Sequence, residues 1–419
     1  MVHALRALRS PNYRLFFAGQ FVSLLGTWLQ TVAVVWLVYR LSGSPLLLGL
    51  TTGLQQLPLL LLSPVAGVWS DRHDRRKVLI VTQLLGAVQA GLLALLTFLG
   101  SIEVAHVMVL ALALGLINAF ETPTRQAFVL DMVGDKRDLP NAIALNSMLF
   151  NSARFVGPAL AGVILAALGE AWCFALNALS FTATLYAYTR MRVASAPRAA
   201  RTAHWLSDLR EGVRYAFGFV GIRRLLLLLA VLSIGSAPWQ PLMPVFASDV
   251  YGGDSRTLGW LIGAVGVGAL CGTVYLILRR GLRGLGRVIP FTAAASGLGM
   301  TVFAWSQSLA LALPMLALFG FGLIATVASC NTLIQTIAEA HMRGRVIALY
   351  VVAFLGMSPV GHFLSGALAE RIGVQWTLFL CGASMMIAAA CFGYTLPSWR
   401  EAVRQARATQ EAETRVPHA

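Results

Sequence analysis

Acidic residues are scarce in this sequence, and charge of either sign is thin. Asp and Glu number 17 against 32 Lys and Arg in 419 residues, and charged residues make up 12% of the chain. A soluble domain carries about a quarter, so a water-soluble globule is excluded. Cysteine is sparse too. Cys173, Cys271, Cys330, Cys381 and Cys391 all lie inside apolar runs without paired spacing, which leaves them as small core residues and indicates neither a disulfide nor a metal site. His3, His73, His106, His204, His341, His362 and His418 are scattered, so a histidine metal cluster has no support. No Gly-x-x-x-x-Gly-Lys-Ser/Thr segment is present, so ATP is not the driver of whatever work the chain does. No Ser/His/Asp set or carboxylate pair gathers at one depth, which argues against an enzyme. No cofactor is implied.

What fills the chain instead is apolar sequence, 58% of it. The runs fall at 13–41, 44–70, 77–99, 104–133, 140–169 and 171–191, then at 222–250, 255–280, 288–306, 309–338, 343–371 and 374–397. Crossing a bilayer takes about 20 residues. In lipid a spanning segment must satisfy its own backbone, and the alternating pattern of a barrel is missing, so the runs are helices. The basic start, Met1 to Arg14, has no small-residue cleavage site after it, and the run from Tyr13 to Leu41 is too long for a signal segment. It stays as the first span.

The net charge of +15 would suggest nucleic acid if it were gathered on one surface. It is not. Arg6, Arg9 and Arg14, then Arg72, Arg75, Arg76 and Lys77, then Lys136 and Arg137 occupy alternate connections, as do the arginines of 190–224, 279–287 and 343–345. The intervening connections hold only Arg40, Arg256 and Arg371. This asymmetry places the arginine-rich face and both termini in the cytoplasm. The expected partners are therefore a lipid bilayer and a small-molecule substrate, not nucleic acid, and the expected state is a monomer.

The two halves resemble each other. A shift of 204 residues lays Gly157 on Gly361, Gly162 on Gly366, Gly169 on Gly373 and Trp172 on Trp376, and a shift of 210 lays Gly43, Gly49 and Gly53 on Gly253, Gly259 and Gly263. Small residues let membrane helices approach closely. A parallel repeat of six spans gives two bundles with a substrate path between them. The fold class is thus all-α integral membrane, twelve transmembrane helices in two pseudo-symmetric six-helix bundles. The N-terminal bundle is 1–191, the linker 192–221, the C-terminal bundle 222–397 and the tail 398–419. Within the linker Trp205, Leu209, Val213 and Phe217 recur at helical spacing, with Arg210 and Arg214 on other faces, which suggests a short helix lying on the membrane surface.

The densest charge cluster, Gly67 to Lys77, joins the second and third spans. Its pattern Gly-x-x-x-Asp-Arg-x-x-Arg-Arg resembles the loop between helices 2 and 3 of the major facilitator superfamily. The second half lacks it: Gly272 to Arg287 has the arginines but no aspartate. Three more stretches narrow the resemblance: Pro123-Thr-Arg-Gln-Ala-Phe-Val leading into Leu139-Pro-Asn-Ala-Ile-Ala-Leu-Asn146, then Ala153-Arg-Phe-Val-Gly-Pro-Ala-Leu-Ala-Gly162, and Arg343-Gly-Arg-Val-Ile-Ala-Leu-Tyr350. Over about residues 10–395 the chain is similar to the enterobactin-exporter and macrolide-efflux branch. Members export siderophores or hydrophobic antibiotics using the proton gradient, so the resemblance implies a proton antiporter in the bacterial inner membrane. A lysophospholipid flippase or another solute transporter of the same fold is the alternative.

The resemblance implies a gate at the cluster. Asp71 would sit against the N-terminal end of the eleventh span near Gly344, where free backbone N–H groups carry partial positive charge. Gly67 belongs to the same motif, and Arg72, Arg75 or Arg76 can pair with Asp131. Many members have glycine where this chain has Asp74. Charge deep in hydrocarbon costs at least ~2.5 kcal/mol, which singles out Glu121 and Arg125, four residues apart and so on one helix face, and Arg154 in the next span. They form either a structural ion pair or a proton and substrate site, since desolvation and a neighbouring arginine set how readily a carboxylate takes a proton. Glu121 is the first candidate for the proton carrier. Gln20, Gln30, Gln55, Gln56, Asn151, Trp239, Gln240, Asn331 and Gln335 can line the cavity, though helix–helix hydrogen bonding accounts for each equally well. The first span holds no acid, unlike the drug antiporters that use a carboxylate there.

Overall fold

Apolar runs of this length have one way to satisfy their backbone away from water, and each run becomes a helix. The structure is a computed structural model that describes residues 6–133, 138–191, 205–279, 284–339, 341–401 and 403–404. In chain order the helices are α1 (Pro11–Ser42), α2 (Pro45–Asp71), α3 (Arg75–Phe98), α4 (Val104–Met132), α5 (Leu139–Leu168) and α6 (Glu170–Arg190). A short α7 (Trp205–Gly218) is followed by α8 (Val220–Val250), α9 (Ser255–Leu278), α10 (Leu285–Ala304), α11 (Leu309–Ile337), α12 (Arg343–Ile372) and α13 (Val374–Tyr394). Among the described residues eleven of them are long and apolar enough to cross a membrane, against the twelve expected from the sequence. The 21-residue α6, which packs along α1 and α3, is the expected span outside that set. Large apolar side chains stand outward, Ile277 and Leu278 each 74% exposed and Phe291 77%, the mantle of a protein solvated by lipid.

Local signals fix the ends. Ser10 and Ser44 accept from Tyr13 N and Leu47 N, each just before a proline at the first helical position, where a missing N–H loses nothing. Asp74 caps α3, accepting from Arg76 N at 3.0 Å and Lys77 N at 3.3 Å. That is a physical role for the residue that departs from the family loop. Two helices are not continuous. Past Ser236, α8 passes through a 3₁₀ turn at Ala237–Trp239 and ends in a π-turn at Phe246–Val250. Pro238, Pro241 and Pro244 remove successive backbone donors there. A second π-turn, Val352–Gly356, interrupts α12.

The chain forms two compact units. Met1–Arg201, Trp239–Gly266 and His362–Val374 make the first; Thr202–Pro238, Val267–Gly361 and Gln375–Ala419 make the second. In the first, α1 packs on α5 and α6, α2 on α4, and α3 on α4 and α6. In the second, α10 packs on α11, and a Cβ added at Gly322 would stand 2.3 Å from Thr292 O.

The internal repeat is visible at two matched turns. Gly169 and Gly373 turn the chain between the paired helices α5–α6 and α12–α13 with φ of 83° and 85°, a conformation that favours glycine. Directly after them Trp172 meets Phe98 edge-on at 5.4 Å and 88°, and Trp376 meets Trp305 edge-on at 5.1 Å and 86°. These are the interfacial aromatics of a membrane protein.

In the second unit α7 docks on the turn between α11 and α12. Tyr215 Oη donates to Glu339 Oε1 at 3.3 Å and accepts from Glu339 N at 3.2 Å, and Arg345 pairs with Glu211 at 2.9 Å. Val213 and Phe217 remain exposed on the opposite side. The side chains of Trp205 and Leu209, and the linker before them, lie outside the described residues.

Candidate functional site

Within the first unit, α1, α2, α3, α4 and α6 enclose a polar cavity of about 240 Å³. Helical spacing explains how it forms. Gln20, Ser23, Thr27 and Gln30 recur every three or four residues of α1, and Asn118, Glu121, Thr122 and Arg125 do so on α4, so each helix turns one polar stripe inward. Gln55 of α2, Thr82 and Gln83 of α3 and Asn177 of α6 complete the wall, with Phe150 of α5 at its edge.

Much of this wall is braced. Asn177 Nδ2 donates to Gln30 Oε1 at 2.8 Å, and Gln30 Nε2 donates to Gln89 Oε1 at 3.0 Å. Gln89 Nε2 donates onward to Leu110 O at 3.1 Å. Thr184 Oγ1 donates to Gln83 Oε1 at 2.6 Å. The chain of amides ties α1, α3, α4 and α6 together, and α1 comes close because Gly26 has no side chain: a Cβ there would stand 2.2 Å from Ser180 Oγ. Gln30 thus lines this cavity and also bonds neighbouring helices. Gln20 differs: 6% exposed, its Oε1 has no hydrogen-bond partner among the described residues.

Glu121 and Arg125 pair at the cavity wall. Arg125 Nε donates to Glu121 Oε1 at 2.7 Å, with side chains 10% and 11% exposed. The Arg125 guanidinium lies over the Phe150 ring, 4.7 Å from its centre, a geometry in which a cation is held by the ring face. Arg154 is exposed on α5 and does not line this cavity, and the side chain of Asn151 lies outside the described residues. Chemically the arrangement offers one carboxylate–guanidinium pair, amides and hydroxyls that can hold a polar group, and, among the described residues, no third charge on the cavity wall.

The gate residues divide. Arg75 Nη1 pairs with Asp131 Oδ2 at 2.9 Å, tying α3 to α4 as the sequence allowed. Arg76 instead donates to the carbonyls of Tyr188 and Thr189 at the end of α6, both at 2.6 Å. Arg72 is exposed. The Asp71 side chain lies outside the described residues. A Cβ added at Gly67 would meet nothing within 4 Å, and one at Gly344 likewise. Trp239 and Gln240 fall in the broken part of α8, while Gln335 bonds Asn331 one turn back along α11 at 2.9 Å.

At the opposite end of the first unit lie polar contacts that the sequence reading passed over. Tyr39 Oη donates to Asp249 Oδ2 at 2.5 Å. Glu370 accepts from Ser44 Oγ at 3.0 Å and Leu46 N at 3.2 Å, at the N-terminus of α2. Arg40 pairs with Glu170 at 2.7 Å, and Gln56 meets His362 at 3.1 Å. Below them two glycine pairs touch. Cβ atoms added at Gly49 or Gly162 would fall 2.8 Å from Gly366 Cα and 2.7 Å from Gly259 Cα. The repeat carries Gly49 to Gly259 and Gly162 to Gly366, so it maps one contact onto the other.

Comparison with known proteins agrees with this geometry. The family model described as transmembrane secretion effector matches residues 2–417. The chain is 29% identical over 407 residues to the multidrug efflux pump Tap of Mycolicibacterium fortuitum, covering 94% of this chain and 97% of the relative. It is 26% identical over 376 residues to the staphyloferrin A transporter of Staphylococcus aureus, covering 88% and 92%. Among solved structures, an inward-facing, unoccupied bacterial homolog of the human lysosomal transporter Spinster superposes with a TM-score of 0.73 at 14% identity, covering 94% of this chain and 98% of that one.

Proposed function

This chain belongs to the transmembrane secretion effector family of the major facilitator superfamily, is a membrane transporter of small molecules and not an enzyme, and we propose that it exports an amphipathic cargo by exchange with protons. The observation that carries the proposal is the Glu121–Arg125 pair at 2.7 Å on the wall of a cavity otherwise lined by amides, hydroxyls and apolar groups. A buried carboxylate held by one arginine has two states. Charged, it engages the guanidinium; protonated, it releases it toward the cavity. Cargo and proton then compete for the same pair, which is what antiport requires.

The driving force suffices. One charge crossing 100 mV is worth about 2.3 kcal/mol, which sustains roughly a fiftyfold cargo gradient. Alternating access needs a closure at each end. The glycine contacts 49–366 and 162–259, with Asp249 and Glu370 above them, supply the closure on the face away from the arginines. The cytoplasmic closure falls to the charged loop that Asp71 begins, with Arg75 and Asp131 tying α3 to α4 beside it. The cargo class follows the relatives: a hydrophobic drug, as the name of the Tap pump states, or a siderophore, as that of the staphyloferrin A transporter states.

Everted membrane vesicles test the proposal. With an imposed inside-acid gradient, cargo uptake is expected to rise and to collapse on adding a protonophore. Ethidium serves as the drug probe and an iron-free hydroxycarboxylate chelator as the siderophore probe. Uptake of either that ignores the gradient contradicts proton exchange.

A further inference from the structure

Away from the polar cavity, the second unit has a cleft of about 790 Å³ between α9 and α10, floored by Phe321 of α11. Its walls are mainly apolar: Val288, Phe291 and Ala295 on one side and Tyr275 on the other, with the Thr292 hydroxyl turned to Thr326 and Val288 O. Its mouth is cationic. Arg279 closes the end of α9 and Arg287 the start of α10, both lining the cleft.

The mouth is built rather than accidental. Arg279 Nη1 donates to Tyr275 Oη at 3.2 Å, one turn back along α9. Its Nη2 stands 2.9 Å from where a Cβ on Gly284 would be. Gly284 has a φ of 78°, so glycine is required there by conformation, and its bare Cα also admits the guanidinium. Arg287 is exposed and makes no ion pair among the described residues. Next to this mouth stand Ile277, Leu278 and Phe291, each about three-quarters exposed. In a membrane protein such side chains face acyl chains, so the cleft opens to lipid at the depth where the helices end. By the count of spans it lies on the arginine-rich face.

We propose that this cleft binds an anionic phospholipid of the surrounding bilayer, its phosphate held by Arg279 and Arg287 and one acyl chain lying along Phe291 and Phe321. The chemistry commits to a lipid. Two guanidiniums fit a phosphate, and the aromatic walls beyond them fit hydrocarbon and leave a free ion nothing to contact. Basic pockets between spanning helices on the cytoplasmic side have this character generally. The site is independent of the Glu121–Arg125 cavity and rests only on the chain being embedded in a membrane.

The experiment uses the full chain, purified in detergent and stripped of lipid, then incubated with dioleoylphosphatidylglycerol or dioleoylphosphatidylcholine and weighed by native mass spectrometry. The protein is expected to retain phosphatidylglycerol in preference to phosphatidylcholine. Arg279→Gln with Arg287→Gln is expected to lose that preference by about thirtyfold, roughly fivefold for each arginine. The Arg→Lys pair keeps it, and Arg256→Gln, at a remote connection, leaves it unchanged. Ala295→Glu, which places a carboxylate in the cleft while leaving both arginines, is expected to give the same loss and covers the case in which the glutamine pair does not fold. Equal retention of the two lipids, undiminished phosphatidylglycerol binding by the glutamine pair, or full displacement by millimolar inorganic phosphate overturns the proposal.

Discussion

Glu121 and Arg125 sit four residues apart on α4, so one helix face carries a carboxylate and a guanidinium at 2.7 Å. Their treatment by mutation is asymmetric. Removing the arginine strands a buried carboxylate, and breaking such a pair costs about 3–5 kcal/mol. Arg125→Ala is therefore expected to lower the yield of folded protein sharply, read as monodisperse protein on size exclusion, while Arg125→Lys recovers much of it. A second residue-scale expectation concerns Gly26, where a Cβ would stand 2.2 Å from Ser180 Oγ. Gly26→Val forces α1 away from α6, at a cost of about 1–3 kcal/mol, and should lower the melting temperature in detergent. The ion pair was legible in the sequence because acids in apolar runs are conspicuous. The space around Gly26 was not, since it depends on which face of α6 arrives.

At the scale of elements, the sequence carried the helices and the repeat. Span boundaries fall within about three residues of the helix ends, and the coincidence of Trp172 with Trp376 becomes two matched aromatic contacts. The break in α8 was only hinted at by its prolines, because a proline permits a kink without saying which hydrogen bonds are given up. The contacts at the acidic end went unread for a different reason. Attention to Lys and Arg assigns topology but passes over Asp249, Glu170 and Glu370, whose partners lie 210, 130 and 326 residues away. The glycine pairs make a sharp prediction here. Gly49→Val or Gly162→Val wedges the helices apart at contacts under 3 Å, so a cysteine placed at Gln56 should react faster with a membrane-impermeant maleimide from outside intact cells. Equal labelling with and without the valine argues against a closure at these glycines. For α7, the exposed Glu211–Arg345 pair should show a coupling of no more than about 1 kcal/mol in a double-mutant cycle, so docking rests chiefly on Tyr215 and Glu339.

For the molecule as a whole, we propose a transporter closed alternately at two ends, with a proton site in the first half. Asp71→Asn is expected to abolish net extrusion by weakening the cytoplasmic closure, measured as loss of cargo efflux from loaded cells at unchanged membrane abundance. The cargo was the least legible property. The cavity wall mixes amides and hydroxyls with apolar groups, a lining that takes many ligands, and no single side chain in it names one. The most direct test of the central claim separates coupling from transport. Proteoliposomes carrying Glu121→Gln are compared with wild type in two modes: uphill uptake driven by a proton gradient, and gradient-free exchange of labelled for unlabelled cargo. The account predicts that the variant loses uphill uptake and keeps exchange. Uphill uptake by Glu121→Gln at the wild-type level would contradict it.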